Sequence, residues 1–215
     1  VLEAVCGRIC PHTKQCEGAC VRGIKSNPVS IGDIEAFVGG ISIKENYSFA
    51  TVNKEHKNKK IAIIGGGPSG ITAAAFLLKK GYSVTIYEKY NYLGGLLIHG
   101  IPEFRLPKDI VKQTIQKIID LGLEVKYNQE LGKNLFLEQL EEKYDAIFLA
   151  FGANITAKMG IKGEELKGVY AGNQLLEQQN HPNYSNKNVA VIGGGNVAID
   201  CARTIKRLGA QAVKV

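Results

Sequence analysis

The chain has 215 residues, 45% of them hydrophobic and 22% charged, with a formal net charge of +7. This is ordinary globular composition, and no apolar run approaches the roughly 18 residues of a membrane helix, so no membrane is expected among its partners. Part of the positive charge lies in Lys54-Glu-His-Lys-Asn-Lys-Lys60, which lacks interleaved aromatics and reads as a solvated linker, so no nucleic acid is expected either. Val1-Leu-Glu-Ala-Val5 has an early acid and no basic region before it, unlike a signal peptide, and the expected compartment is cytoplasmic.

In chain order, the cysteines come first. Four of five fall in Cys6-Gly-Arg-Ile-Cys10-Pro-His-Thr-Lys-Gln-Cys16-Glu-Gly-Ala-Cys20. Clustered cysteines in a cytosolic chain point to metal rather than disulfides. Zinc sites favour pairs two residues apart, and these gaps are longer, so a thiolate-held iron–sulfur cluster is the better reading. The residues alone would assign all four to one cluster. Short helical spacing follows in Ile31-Gly-Asp-Ile-Glu-Ala-Phe-Val38, then a polar linker over 46–58.

Next comes Lys60-Ile-Ala-Ile-Ile-Gly65-Gly66-Gly67-Pro68-Ser69-Gly70. A β-branched run, a glycine-rich turn and a helical pattern form the dinucleotide fingerprint. Its first glycine makes the turn, its second lets backbone approach a pyrophosphate, and its third lets helix pack on strand. The helix N-terminus then faces the phosphates. A strand is expected over 61–64, a helix over 69–80 ended by Gly81, and a strand over 83–87. The acid expected about 20 residues past the glycines, where it can accept ribose hydroxyls, is Glu88, followed by Lys89 and the turn Gly94-Gly95-Leu96. A helix over 108–121, a strand over 124–127 and a buried strand over 146–151 follow.

The glycine motif then recurs as Asn188-Val-Ala-Val-Ile-Gly193-Gly194-Gly195-Asn196-Val197-Ala198. Ala at the last position is allowed. A strand over 189–192, a helix over 196–208 and a strand over 212–215 make a second βαβ unit. Two loops suggest two nucleotides, a flavin and a nicotinamide. One crossover leaves parallel strands largely uncovered, so this second unit reads as the start of a larger domain and the chain as a fragment. Cys201 reads as a small buried hydrophobe. His12, His56, His99 and His181 read as structural or solvated.

The string Glu88-Lys-Tyr-Asn-Tyr-Leu-Gly94-Gly95-Leu96, with Gly100-Ile-Pro-Glu-Phe-Arg105-Leu-Pro107 after it, resembles the family of the glutamate synthase small subunit. That family includes the N-terminal half of dihydropyrimidine dehydrogenase and the large subunit of the electron-bifurcating transhydrogenase. The resemblance covers nearly the whole chain. It implies FAD at Gly65 to Ser69, Glu88, Gly95, Leu96, Arg105 and Leu131, with Arg105 near the phosphates. It implies NADPH, or NADH, at Gly193, Gly195, Asn196 and Val197. It also divides the cysteines, with Cys10, Cys16 and Glu35 on one [4Fe–4S] cluster and Cys20 on a second, and leaves Cys6 a bystander packed in the core like Cys201. The remaining ligands would come from an upstream cysteine run, so the clusters are incomplete here.

The expected fold is α/β: Rossmann-like FAD and NAD(P) domains on parallel sheets in three layers, preceded by a small α-helical iron–sulfur domain. The expected boundaries are 1–55, 56–184 (incomplete) and 185–215 (truncated). The expected function passes electrons from NAD(P)H through FAD and [4Fe–4S] clusters to a catalytic large subunit or acceptor protein, as in glutamate synthase. The cofactors carry the chemistry, so no catalytic side chain is expected. Alternatives are a flavin-dependent disulfide or ferredoxin reductase, against which the absence of Cys-x-x-Cys counts, and a non-enzymatic zinc- or nucleotide-binding fragment.

Overall fold

The computed structural model describes residues 1–47, 52–53, 58–177 and 181–215; most of the basic linker, with His56, lies outside them. The chain forms two compact units, one of 1–98 with 103–152 and the other of 99–102 with 153–215.

The first unit begins with helices α1 (Glu3–Ile9) and α2 (Ile31–Lys44), separated by 3-10 turns at His12–Lys14 and Val21–Ile24. The helices touch backbone to backbone. A Cβ on Gly7 would run into the Ala36 amide, and one on Gly39 into Ala4. Arg8 ties the pair by donating to Ala4 O (2.6 Å) and Ala36 O (3.3 Å).

A four-stranded parallel sheet follows, in the order β3-β2-β1-β4. Its strands are β1 (Lys60–Ile64), β2 (Ser83–Tyr87), β3 (Glu124–Lys126) and β4 (Ala146–Leu149). Ile61 and Ile63 align with Val84 and Ile86 across the central pair. Helix α3 (Pro68–Lys79) connects β1 to β2 and buries Ile71, Ala74, Ala75 and Leu78. Gly81, at φ 88°, closes it: its amide donates to Leu78 O and that of Tyr82 to Leu77 O, a left-handed cap that glycine adopts without strain. The short α4 (Leu96–His99) precedes α5 (Lys108–Ile119), which buries Val111, Thr114, Ile115 and Ile118, one face at helical spacing. Ala62, Ile64 and Tyr87 instead pack with Leu135 and with Leu140 of α6 (Leu137–Glu141). Alternation along β1 therefore serves two faces, giving helix, sheet and helix layers. On α5, Lys117 donates to Ser42 Oγ (2.5 Å), fastening α2 to the same unit.

One expectation fails. The strand over 146–151 reads as buried, but β4 ends at Leu149, and Phe148 and Leu149 are 41% and 53% exposed. Among the described residues it is an edge strand with β1 as its single neighbour. Apolar composition reports what a strand would bury, not whether a neighbour is present.

In the second unit, β5 (Asn188–Ala190) and β6 (Ala212–Lys214) pair in parallel, joined through α8 (Asn196–Arg207), with α7 (Gly172–Glu177) beside that helix. Leu175, Tyr184, Cys201, Ile205 and Ala210 form its core. Cys201 is buried as expected, whereas Cys6 is only half-buried.

Candidate functional site

The first glycine loop joins β1 to α3. The Gly65 amide donates to Tyr87 O at 2.8 Å, placing the turn against the end of β2. Gly65 sits at φ 104°, and a Cβ there would strike Ala150 O, so only glycine fits. A Cβ on Gly70 would strike Gly65 O, which is the close packing of helix on loop that the third glycine permits. Gly67 caps α3 and Pro68 opens it. A Cβ on Gly67 would meet nothing within 4 Å. The loop is therefore packed on its inner side and open above Gly67, at the positive end of the α3 dipole.

Glu88 ends up 4% exposed directly beneath this loop. Its Oε2 accepts the Gly66 amide at 2.7 Å and its Oε1 accepts the Tyr90 amide at 3.0 Å. A carboxylate has about four acceptor directions, so capacity remains for ribose hydroxyls. The Gly94-Gly95 turn comes alongside: Gly94 N donates to Gly66 O at 2.8 Å, and a Cβ on Gly95 would lie 3.0 Å from Gly67 Cα. The structure thus gathers Gly65 to Gly70, Glu88, Gly94 and Gly95 in one place. Ser69, Lys89 and Leu96 are exposed around it. Leu131 packs against the Ala62–Leu140 cluster on the α6 side of the sheet. Arg105 is half-buried in the segment leading to α5. There, Lys108 donates to Leu97 O at 2.9 Å, and burial pulls its amine below the usual lysine range.

Motif reading missed Leu93 and the 128–129 turn. Leu93 is buried and presses on Gly66, where a Cβ would strike its Cδ2. Asn128, at φ 56°, donates to Tyr90 O, and Gln129 donates to Glu88 O. The asparagine is a modest turn signal; nothing in the sequence singles out Leu93.

The second glycine loop is more open. Gly193 sits at φ 119°, and Cβ atoms on Gly194 or Gly195 would meet nothing within 4 Å. Gly195 caps α8, and Asn196 and Val197 are exposed on its first turn. A cavity of about 700 Å³ lies elsewhere, lined by Lys59, Phe76, Tyr82, Asp145 and Phe148 among others. It opens at the starting ends of β1 and β4, away from the glycine loop.

The cysteines do not converge. Cys10 Sγ donates to Gln15 Oε1 at 3.1 Å. Cys16 is exposed, and Cys6 and Cys20 are half-buried. Backbone amides, first Val29 and then Arg22, hold the Cys20 thiol below its ordinary pKa, whereas burial, followed by the charge of Glu35, pushes Cys6 up. Glu35 lies with Oε2 3.8 Å from His12 Nε2. Among the described residues no three His, Cys, Asp or Glu side chains come together in a metal-holding group. The one-cluster reading of Cys6, Cys10, Cys16 and Cys20 is therefore not realised. The donor set as arranged here does not fit a whole cubane. No described helix is long and apolar enough to cross a membrane.

Comparison with known proteins agrees with this geometry. Residues 59–215 match the family model described as pyridine nucleotide-disulphide oxidoreductase. Residues 1–47 match the one described as dihydropyrimidine dehydrogenase domain II, 4Fe-4S cluster. The NADPH-Fe(3+) oxidoreductase subunit beta of Geobacter sulfurreducens is 38% identical, over 98% of this chain and 32% of its own length. The glutamate synthase [NADPH] small chain of Escherichia coli is 35% identical over 99% and 48%. The NADP(+)-dependent formate dehydrogenase subunit beta of Moorella thermoacetica is 37% identical over 99% and 33%. The chain thus spans a third to a half of these relatives. Among solved structures, FprA of Mycobacterium tuberculosis in complex with NADPH superposes with a TM-score of 0.66 at 26% identity, over 73% of this chain and 42% of that one.

Proposed function

The chain belongs to the pyridine nucleotide-disulphide oxidoreductase family, and from that premise we propose that it is the electron-input part of an oxidoreductase of the glutamate synthase small-chain type. In this reading NADPH is the donor, FAD occupies the Gly65–Gly70 loop, and electrons leave toward the cysteine-bearing N-terminal segment, a [4Fe–4S] domain by its family match. A partner subunit, as the names "small chain" and "subunit beta" of the relatives imply, receives them. We assign 1–55 to the iron–sulfur part, 56–184 to the FAD part and 185–215 to the start of the NADPH part.

The observation that carries the reading is the buried Glu88 carboxylate set against the amide of Gly66. Bound FAD supplies the conversion of a two-electron donor into one-electron steps. The residues of the chain bind and orient. Glu88 accepts ribose hydroxyls, the open face of Gly67 admits the pyrophosphate, and the α3 terminus favours its negative charge. Gly193, Gly195, Asn196 and Val197 do the same for NADPH at α8. Cys10, Cys16, Cys20 and Glu35 supply part of a cluster ligand set, and no step is routed through them. The 215 residues contain no Cys-x-x-Cys, so a dithiol relay does not describe them.

Glutamate synthase is favoured over iron(III) reduction by its small chains, of which this chain covers 47–48% from three organisms. The 38% identity to the Geobacter protein supports the second reading. FAD titration into the purified protein, followed by anaerobic NADPH, tests the common part. Failure to bind FAD overturns it. Formation of glutamate from glutamine and 2-oxoglutarate with an added glutamate synthase large chain supports the first reading; NADPH-driven iron(III) reduction without it supports the second.

A further inference from the structure

Helix α5 serves two sides of the first unit. Its apolar face lies behind the first glycine site: a Cβ on Gly94 would come 3.3 Å from Ile115 Cδ1, and the Gly94 amide donates to Gly66 O at 2.8 Å. Ile115 therefore backs the turn that rests on the glycine loop. Lys117 stands two residues further on, about 200° round the helix. Helices α1 and α2 both pack against α5. From this side the half-buried Lys117 donates to Ser42 Oγ at 2.5 Å and to Ser42 O at 3.1 Å.

Ser42 lies in the last turn of α2, where the carbonyls have no partner within the helix. Its carbonyl also accepts the Tyr47 amide at 2.9 Å. A lysine ammonium suits this negative end of the helix dipole, and its several donors let one Nζ hold both Ser42 oxygens. At the opposite end of α2, Glu17 Oε1 accepts the Gly32 amide at 2.9 Å. That bond ties the stretch between Cys16 and Cys20 to the first turn of the helix. A continuous line of contacts thus runs from the glycine loop through the Gly94 turn, α5, Lys117 and α2 to the cysteines.

We infer that Lys117 is a positioning residue: it makes α5 a strut that fixes α2, and with it the cysteine segment, relative to the first glycine site. The inference rests on the reading of that site as the FAD site and of the N-terminal segment as the way out for electrons. To that reading it adds what holds the two at a set separation, on which the rate of one-electron transfer depends.

Hydrogen exchange of the full chain tests the strut, for wild type, K117M and K117R. In K117M the amides of α2 are expected to exchange about tenfold faster, through loss of a charge-assisted bond. Those of β1 and β2, and the affinity for FAD, stay as in wild type. Arginine keeps the donors and restores slow exchange. Position itself is read by dipolar electron paramagnetic resonance between the flavin semiquinone and a nitroxide on the exposed Cys16, in a C6S/C10S/C20S background. One narrow distance is expected with Lys117 or with K117R, and a broad spread with K117M. Should K117M melt early, Ser42→Ala, which removes only the Oγ contact, carries the comparison. Unchanged α2 exchange or an unchanged distance in the variant overturns the inference, as does a loss that arginine does not restore. A wild-type protein that binds no FAD overturns the FAD reading instead, and the exchange contrast still decides the role of Lys117.

Discussion

The Glu88 carboxylate closes upon the glycine loop, Oε2 accepting the Gly66 amide at 2.7 Å, so the acid that would read the ribose also shapes the turn that would hold the pyrophosphate. Glu88→Ala removes the acceptor of two amides, those of Gly66 and Tyr90. A buried donor left without its partner costs about 1–3 kcal/mol, and loss of the charged ribose acceptor weakens FAD by a similar ~1–3 kcal/mol. Thermal melts with and without FAD separate the two. Unchanged flavin retention in the variant would remove Glu88 from the binding site.

Cysteine chemistry should divide by environment. Backbone amides hold the Cys20 thiol below its usual pKa, and burial pushes that of Cys201 up to about 11. The thiolate is the reacting form. In the metal-free protein at neutral pH, iodoacetamide should therefore label Cys20 first and Cys201 only on unfolding, as peptide mapping over time would show. Early labelling of Cys201 would contradict its buried place beside Tyr184 and Ile205.

Iron content follows from the dispersed ligands. Since no three ligating side chains converge among the described residues, anaerobic reconstitution of this chain alone should yield no intact pair of [4Fe–4S] clusters. Iron and sulfide assays with electron paramagnetic resonance of the reduced protein decide it. About eight irons per chain in two cubanes would show that ligands gather in a way this structure does not contain.

Burial, and after it the hydrogen bond with Tyr144, raises the pKa of Tyr87. The folded state then holds this proton more tightly than the unfolded state. The contribution is complete below the unfolded value of about 10 and is lost as pH rises above it. Tyr87→Phe should flatten the fall of melting temperature above about pH 10 relative to wild type. An identical alkaline slope would mean that this phenol does not sense folding.

Much of this arrangement was legible in the sequence. Both glycine loops, β2 and Glu88 stand where their spacing places them, because the backbone demands of a tight βα turn leave few residue choices. The helix at 108–119 announced itself by one apolar face. What was illegible depends on partners distant in the chain. The exposure of β4 follows from its place at the sheet edge, and the role of Leu93 from its contact with Gly66. That no three ligating side chains gather around the cysteines is likewise a matter of tertiary placement. Local patterns state what a segment can bury or bind; tertiary contact decides whether it does.

Two glycines of the same loop should respond oppositely to one methyl group. Gly65 lies at φ 104°, with Ala150 O in the way of any Cβ. Gly65→Ala combines left-handed strain with a clash against backbone and should cost about 2–4 kcal/mol of stability, ligand or no ligand. Gly67 has φ −76° and ψ −174°, which any residue adopts, and its Cβ direction is open. Gly67→Ala should cost under about 1 kcal/mol, the difference between glycine and alanine at a helix N-cap. Its effect belongs to the ligand, because the methyl fills the space through which backbone approaches a pyrophosphate. FAD affinity should therefore fall about tenfold or more while the melting temperature of the ligand-free protein barely moves. Melts and FAD titrations on both variants give the contrast. If Gly67→Ala binds FAD as wild type does, the open face above Gly67 is not where the dinucleotide lies, and the site must be sought on another side of the loop.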